Sequence, residues 1–181
     1  MGTGDSSGYG VIQNRAPSDG ELEAAARRLG RALLKRSWQM ASAESSTGGL
    51  IGHVITQVPR SSDHYLGGVV SYSDAVKEDL LGVPRDLIGG IGAVSAEVAE
   101  AMTLGALAKF PAARLAVAVT GIAGPDGGSA EKPVGLTYVA AALRDGKAVV
   151  ERHTWPHDRS GNKRASALAA LDLATRLASG K

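Results

Sequence analysis

The chain has no cysteine among its 181 residues. Disulfides and thiolate metal sites are therefore excluded, and a reducing cytosol is the natural compartment, so a cytoplasmic protein is expected. Aromatics are scarce, with one Phe and two Trp, which leaves the core to Ala, Val, Leu and Ile. No apolar run approaches the roughly 20 residues that span a bilayer, and no membrane partner is expected. The opening MGTGDSSGYG lacks the basic and apolar regions of a secretory signal. An excess of one charge is missing too. Twenty basic residues stand against eighteen acidic ones, for a net charge of +2, and the basic residues fall in short groups. Nucleic-acid binding usually needs a broad basic face, so no nucleic-acid partner is expected. None of the four histidines sits in a recognisable catalytic motif. His153 and His157 have the spacing of a metal pair, but in a strand and turn that spacing does not put them on one face. No metal is expected.

What is present is enough for one domain with a full core. Residues 1–18 are poor in apolar side chains and read as a flexible tail, leaving 19–181 as the domain. Asp19 can cap a helix over ELEAAARRLGRALLKR, where Leu22, Ala25, Ala26, Leu29 and Leu33 share a face. Trp38–Ala43 reads as a strand, Gly49–Thr56 as a helix and Gly67–Ser73 as a strand. Asp74 suits the N-cap of a helix over AVKEDLLG, and IGGIGA reads as a glycine-rich connection. Ser95 caps an alanine-rich helix reaching Phe110. Leu115–Ala123 is continuously apolar and suits a central strand covered on both faces. VGLTYVAAAL and AVVERHTW form a hairpin about Asp145-Gly146, and a last helix starts near Asp158. Helices alternating with strands, followed by a hairpin, predict an α/β fold: a single three-layer α/β/α sandwich with a mixed sheet.

Three segments at predicted strand ends break ordinary patterns, and strand ends are where open α/β sheets bind ligands. The first is AESSTGG, Ala43 to Gly49. A strand turning into a helix there offers backbone N–H groups to an anion or an oxyanion, and Gly48 and Gly49 admit a ligand to the backbone. On residues alone, Ser46 or Thr47 serves equally well as a plain helix cap, with Thr47 the better candidate. The second is SYSDAVK, with Tyr72 at a strand end and Lys77 in the first turn of a helix. A lysine near a positive helix end and partly desolvated loses proton affinity, which a general base requires. On residues alone, a surface lysine is the commoner outcome. The third, TGIAGPDGGSAEKPVG, concentrates glycines after a buried strand but has neither the P-loop ending nor the dinucleotide spacing.

In that order, AESSTGG, VVSYSDAVKEDLLGV, GAVSAEVAEAM and AVTGIAGPDGGSAEKPVG resemble the CinA C-terminal domain family, over about Glu21 to Leu177. That family includes the stand-alone nicotinamide-nucleotide amidohydrolases, the PncC enzymes. The resemblance implies deamidation of nicotinamide mononucleotide to nicotinate mononucleotide and ammonia, in pyridine nucleotide salvage, with no metal and no cofactor. It implies Ser45 as nucleophile with Tyr72 and Lys77, and a ligand loop matching Thr120, Gly121, Gly124 and Gly128. Thr47, Gly48 and Gly49 are expected to bind the substrate, with the oxyanion held by backbone N–H groups near Gly48 and Gly49. Arg159 matches a candidate phosphate partner.

There are departures from the family pattern. Ser46 stands where cysteine is usual, Arg60 where glycine is usual in a VPGSS-type turn, and His157 in a Gly-Asp-Arg-type sequence. Arg60 and His157 fall in loops that could touch the ligand. Ser46 and Arg60 sustain an alternative: a non-catalytic nucleotide-binding regulatory module of the same family. The small-molecule partner is a nucleotide in either case, and a homo-oligomer is expected because small α/β enzymes often pair.

Overall fold

The computed structural model describes residues 15–180. Of the expected tail, residues 1–14 lie outside the described residues. Arg15 to Ser18 are tied to the domain: Arg15 pairs with Glu21 at 2.7 Å, and the Pro17 carbonyl accepts from Arg164. In chain order the elements are α1 (Asp19–Lys35), β1 (Met40–Glu44), α2 (Leu50–Thr56), a 3-10 turn (Ser61–Asp63), β2 (Tyr65–Val70), α3 (Asp74–Leu81), α4 (Arg85–Ile91), α5 (Ala96–Lys109), β3 (Leu115–Gly121), β4 (Leu136–Leu143), β5 (Val149–Thr154) and α6 (Arg159–Ser179).

The five strands form one mixed sheet in the order β2-β1-β3-β4-β5. The first three are parallel, and β4 and β5 are antiparallel to their predecessors. The Leu115 strand is central, as its apolar run predicts. That run also alternates in size. Leu115, Val117 and Val119 enter a cluster with α1, α2 and α6, whereas Ala116 and Ala118 join Ala41, Ala43 and Ala142 under α3, α4 and α5. Small side chains on the second face let that helical layer approach the sheet closely. Gly105 in α5 extends the close fit outward, since a Cβ there would lie 2.0 Å from the Leu81 carbonyl oxygen at the end of α3.

Several boundaries differ from the sequence reading. The N-cap of α1 is Ser18, whose hydroxyl accepts from Glu21 N while Glu21 reaches back to Ser18 N, a capping box. Asp19 instead occupies the first turn, where the macrodipole favours an acid. The same one-residue shift occurs at α3, where Ser73 is the cap and Asp74 follows it. The strand expected at Gly67–Ser73 starts at Tyr65 and ends at Val70, so Tyr72 lies beyond it. The connection at IGGIGA is partly helical: α4 runs through Gly89 and Gly90, with Pro84 preset at its N-cap and Ile88 buried in the second cluster. Tertiary packing of Ile88 overrides the low helix propensity of the glycine pair.

The parallel strands β1, β2 and β3 end on one side of the sheet. The chain leaves β5 and enters α6 on that side as well. All three unusual segments and the start of α6 are therefore neighbours.

Candidate active site

The turn after β1 is organised by Glu44. Its side chain is 2% exposed. Oε2 accepts from Thr47 Oγ1 (2.8 Å), Gly49 N (3.0 Å) and Ile51 N (3.0 Å), and Oε1 accepts from Gly52 N (2.9 Å). A strand carboxylate thus does the work of an N-cap. Gly49 sits at the N-cap position with φ 95° and makes no side-chain cap bond, and Thr47 acts as a donor to Glu44. This corrects the expectation that Ser46 or Thr47 caps α2. Gly52 has to be small because a Cβ would lie 2.9 Å from the Tyr65 hydroxyl.

The same contacts change where an oxyanion could be held. Gly49 N is committed to Glu44, and Gly48 N donates to the Ser45 carbonyl at 3.0 Å. The start of α2 is already neutralised by the protein's own carboxylate. Among the described residues, the N–H groups of Ser46 and Thr47 make no hydrogen bond, so these are the donors the turn still offers. Ser45 is 8% exposed, and its N–H donates to Val119 O at 3.0 Å, which pins it to the end of β3. Its hydroxyl makes no hydrogen bond among the described residues. Ser46 is equally buried, and its hydroxyl has no partner among them either.

Lys77 is 1% exposed, so it is not a surface lysine. Its ammonium donates to Ser71 O at 2.9 Å and Tyr72 O at 3.3 Å, with Asp74 Oδ1 at 3.7 Å. Burial pulls its pKa below the ordinary lysine value, and the charge of Asp74 partly restores it. Ser71 N in turn donates to Glu44 O at 2.8 Å. A single residue, Ser71, therefore separates the lysine amine from the strand end that presents Ser45. The Ser71 hydroxyl is fully buried and has no partner among the described residues.

Tyr72 is 63% exposed. Lys77 meets its carbonyl, whereas its hydroxyl accepts from Arg159 at 3.1 Å. The two contacts are at opposite ends of the residue, so the phenol does not bridge Lys77 to Ser45. Arg159 also donates to Gly124 O at 2.6 Å, joining the start of α6 to the glycine loop.

The loop glycines have an internal reason to be glycine. A Cβ on Gly121 would lie 2.7 Å from Leu136 O, one on Gly124 2.5 Å from Val134 Cγ1, and one on Gly128 2.8 Å from Val134 N. The loop folds on itself there and leaves no room for side chains. The Gly124–Pro125 peptide is cis. Thr120 is buried, and its hydroxyl is committed to Ala93 O at 2.8 Å.

A cavity of about 830 Å³ opens between this loop and α6. Leu50, Ala123, Pro125 and Val134 give it an apolar wall, and Arg159 and Lys163 a basic one. His157 lines it, whereas Arg60 does not. Arg60 pairs with Asp63 at 2.7 Å and holds φ 66°, so the glycine usual there answers a backbone demand. Ser45, Tyr72 and Lys77 do not line the cavity, but two residues connect it to them. Arg159 reaches Tyr72, and Lys163 Nζ lies 3.6 Å from where a Cβ on Gly48 would stand.

The family model for the CinA C-terminal domain matches residues 22–178. The chain belongs to the CinA C-terminal domain family. It is 50% identical over 148 residues to the nicotinamide-nucleotide amidohydrolase PncC of Pseudomonas putida, covering 81% of this chain and 91% of that one. It is 43% identical over 148 residues to the protein of the same name from Enterobacter agglomerans, covering 82% and 90%. A CinA-like protein of Geotalea uraniireducens is 49% identical over 130 residues, but the match spans only 30% of that longer chain. Among solved structures, the competence/damage inducible protein CihA of Agrobacterium tumefaciens superposes with a TM-score of 0.84 at 38% identity, covering 92% of this chain and 98% of that one.

Sequence reasoning missed three residues of this CinA-type site. Glu44 carries no signal in the sequence, because a glutamate at a strand end is ordinarily a surface residue. Asn162, 1% exposed, donates to Ala123 O at 3.0 Å and accepts from His157 N at 3.1 Å, which fixes the cavity's rim. Lys163 had a visible signal: α6 begins RSGNKR with no acid in its first turn, against the usual preference at a positive helix end.

Proposed function

We propose that the chain is a nicotinamide-nucleotide amidohydrolase, converting nicotinamide mononucleotide and water to nicotinate mononucleotide and ammonia. The observation that carries the reading is the buried Lys77 amine, held with lowered proton affinity one residue from the strand end that bears Ser45. The two PncC proteins at 43–50% identity agree with it.

In this mechanism neutral Lys77 takes the proton of Ser45 Oγ, and the oxygen attacks the carboxamide carbon. The oxyanion is held by the uncommitted N–H groups of Ser46 and Thr47, in place of the spent donors of Gly48 and Gly49. One such donor contributes about 3–4 kcal/mol in a comparable hydrolase. The C–N bond breaks, ammonia leaves with the proton returned by Lys77, and water releases the acid from Ser45. Tyr72 orients Arg159 through its hydroxyl and plays no part in proton transfer. The backbone of residues 121–128 and Arg159 line the path of the nucleotide, and Arg159 suits its phosphate.

The test is ammonia release from nicotinamide mononucleotide, with nicotinamide and glutamine as controls. Ser45→Ala and Lys77→Met are expected to abolish release while circular dichroism stays native. Methionine is preferred to alanine because it fills the volume of the buried lysine stem. Near-wild-type turnover in either variant refutes that residue's role.

A further inference from the structure

The cavity beside α6 holds more cationic groups than its own contacts use. Three cations line it: Arg159, Lys163 and Arg164. Arg164 is paired with Asp19 at 2.7 Å and with the Pro17 carbonyl. Arg159 is fixed between Tyr72 Oη and Gly124 O. Among the described residues the one lining carboxylate, Asp158, accepts from Gly161 N at 2.7 Å and so caps α6. Lys163 is half-buried and has neither an ion pair nor a hydrogen bond among the described residues. Its amine points across the cavity to the Ser45 turn and lies 3.6 Å from the Cβ position of Gly48, an ordinary contact distance. A partly desolvated, uncompensated ammonium calls for an anion. The opposite wall, Leu50, Ala123, Pro125 and Val134, is apolar and suits a flat ring and a sugar face.

We propose that Lys163 is the specificity-determining cation of this site, binding the phosphate of a mononucleotide together with Arg159 and so discriminating against the unphosphorylated nucleoside and the free amide. The proposal rests on the amidohydrolase reading for the reacting end of the substrate only. The phosphate end is testable by itself.

The experiment is titration calorimetry of the full chain with ribose 5-phosphate and with ribose, for wild type, Lys163→Met and Lys163→Arg, alongside steady-state ammonia release from nicotinamide mononucleotide. Wild type is expected to bind ribose 5-phosphate and to discriminate against ribose. Lys163→Met is expected to weaken ribose 5-phosphate about tenfold or more, the scale of one lost charge-assisted contact, and Lys163→Arg to recover most of it. KM for the nucleotide should rise in Lys163→Met with kcat little changed. A Lys163→Met variant that binds ribose 5-phosphate as wild type does overturns the proposal, as does wild type that treats the two sugars alike. If no ammonia is released while the sugars are still discriminated through Lys163, the amidohydrolase reading fails and the phosphate subsite stands.

Discussion

Glu44→Gln is the substitution that most directly tests how this protein builds its reactive turn. The two side chains have the same shape, so packing around the turn is preserved. The chemistry changes in two ways. Three donors converge on Oε2 and one on Oε1. The better amide orientation places its oxygen at Oε2, keeping three bonds, and turns its NH2 toward Gly52 N, so one bond is lost and two donors face each other. That loss is about 1.5–3 kcal/mol for a charge-assisted bond. The three remaining bonds fall to neutral strength, and the favourable charge at the start of α2 disappears, worth roughly a further 0.3–1 kcal/mol. Cheaper burial of a neutral amide offsets part of this, leaving about 2–4 kcal/mol of destabilisation. Urea unfolding measures it as a lower midpoint at unchanged slope. Glu23→Gln is the control, because its exposed pair with Arg27 is of the kind that contributes under about 1 kcal/mol. If Glu44→Gln unfolds within about 0.5 kcal/mol of wild type, the turn does not depend on the carboxylate, and this account of why Ser45 is held in place is wrong.

Two further outcomes follow from the same geometry. Ser46→Cys is expected to stabilise by about 1 kcal/mol, raising Tm by roughly 2–4 °C in differential scanning fluorimetry, because it removes a buried hydroxyl with no partner and a thiol tolerates that position; a lower Tm means the pocket is too tight for sulfur. The pH profile of kcat/KM should fall on the acid side with a midpoint below 10.5, the ordinary lysine value. A base must be neutral to act, so protonating Lys77 removes activity as pH decreases, and Asp74→Asn, which deletes the charge that raises its pKa, should move the limb to lower pH. A limb that stays put or moves upward rules out Lys77 as the titrating base.

The architecture was legible because its signals are local and repeat along the chain. The alternation of helical and strand periods, the Asp-Gly hairpin and the continuous run at Leu115 all act within a few residues. What escaped was tertiary. The helix at Arg85–Ile91 exists because Ile88 is buried, which no propensity of a glycine pair reveals. The caps moved by one residue because serine and aspartate stand side by side at Ser18-Asp19 and Ser73-Asp74, and both orders satisfy the same rule. At the site, Ser45, Tyr72, Lys77, Arg159 and the glycine loop do assemble on one side of the sheet. The physical reasons attached to several of them were different: the loop glycines are required by Val134 and Leu136, and Thr120 is spent on Ala93.

The difference that matters most for chemistry is the occupant of the α2 terminus. Read from sequence, a strand ending in small residues before a helix offers an open row of N–H donors, and either an oxyanion or a phosphate could be assigned there. With Glu44 in that row, neither can bind without displacing a buried carboxylate that has four donors of its own. The two anionic demands of a nucleotide amide must then be met in separate places. In the proposed mechanism the transient oxyanion falls to Ser46 N and Thr47 N, beside Ser45, and the permanent phosphate to the side chains of Arg159 and Lys163 from α6. This division has a chemical advantage. A phosphate bound at the reacting turn would compete with the developing oxyanion for the same dipoles, stabilising the bound substrate as much as the transition state, and interactions made equally in both states do not raise kcat. Holding the phosphate on side chains of α6 keeps the turn's remaining donors for the charge that appears only during attack.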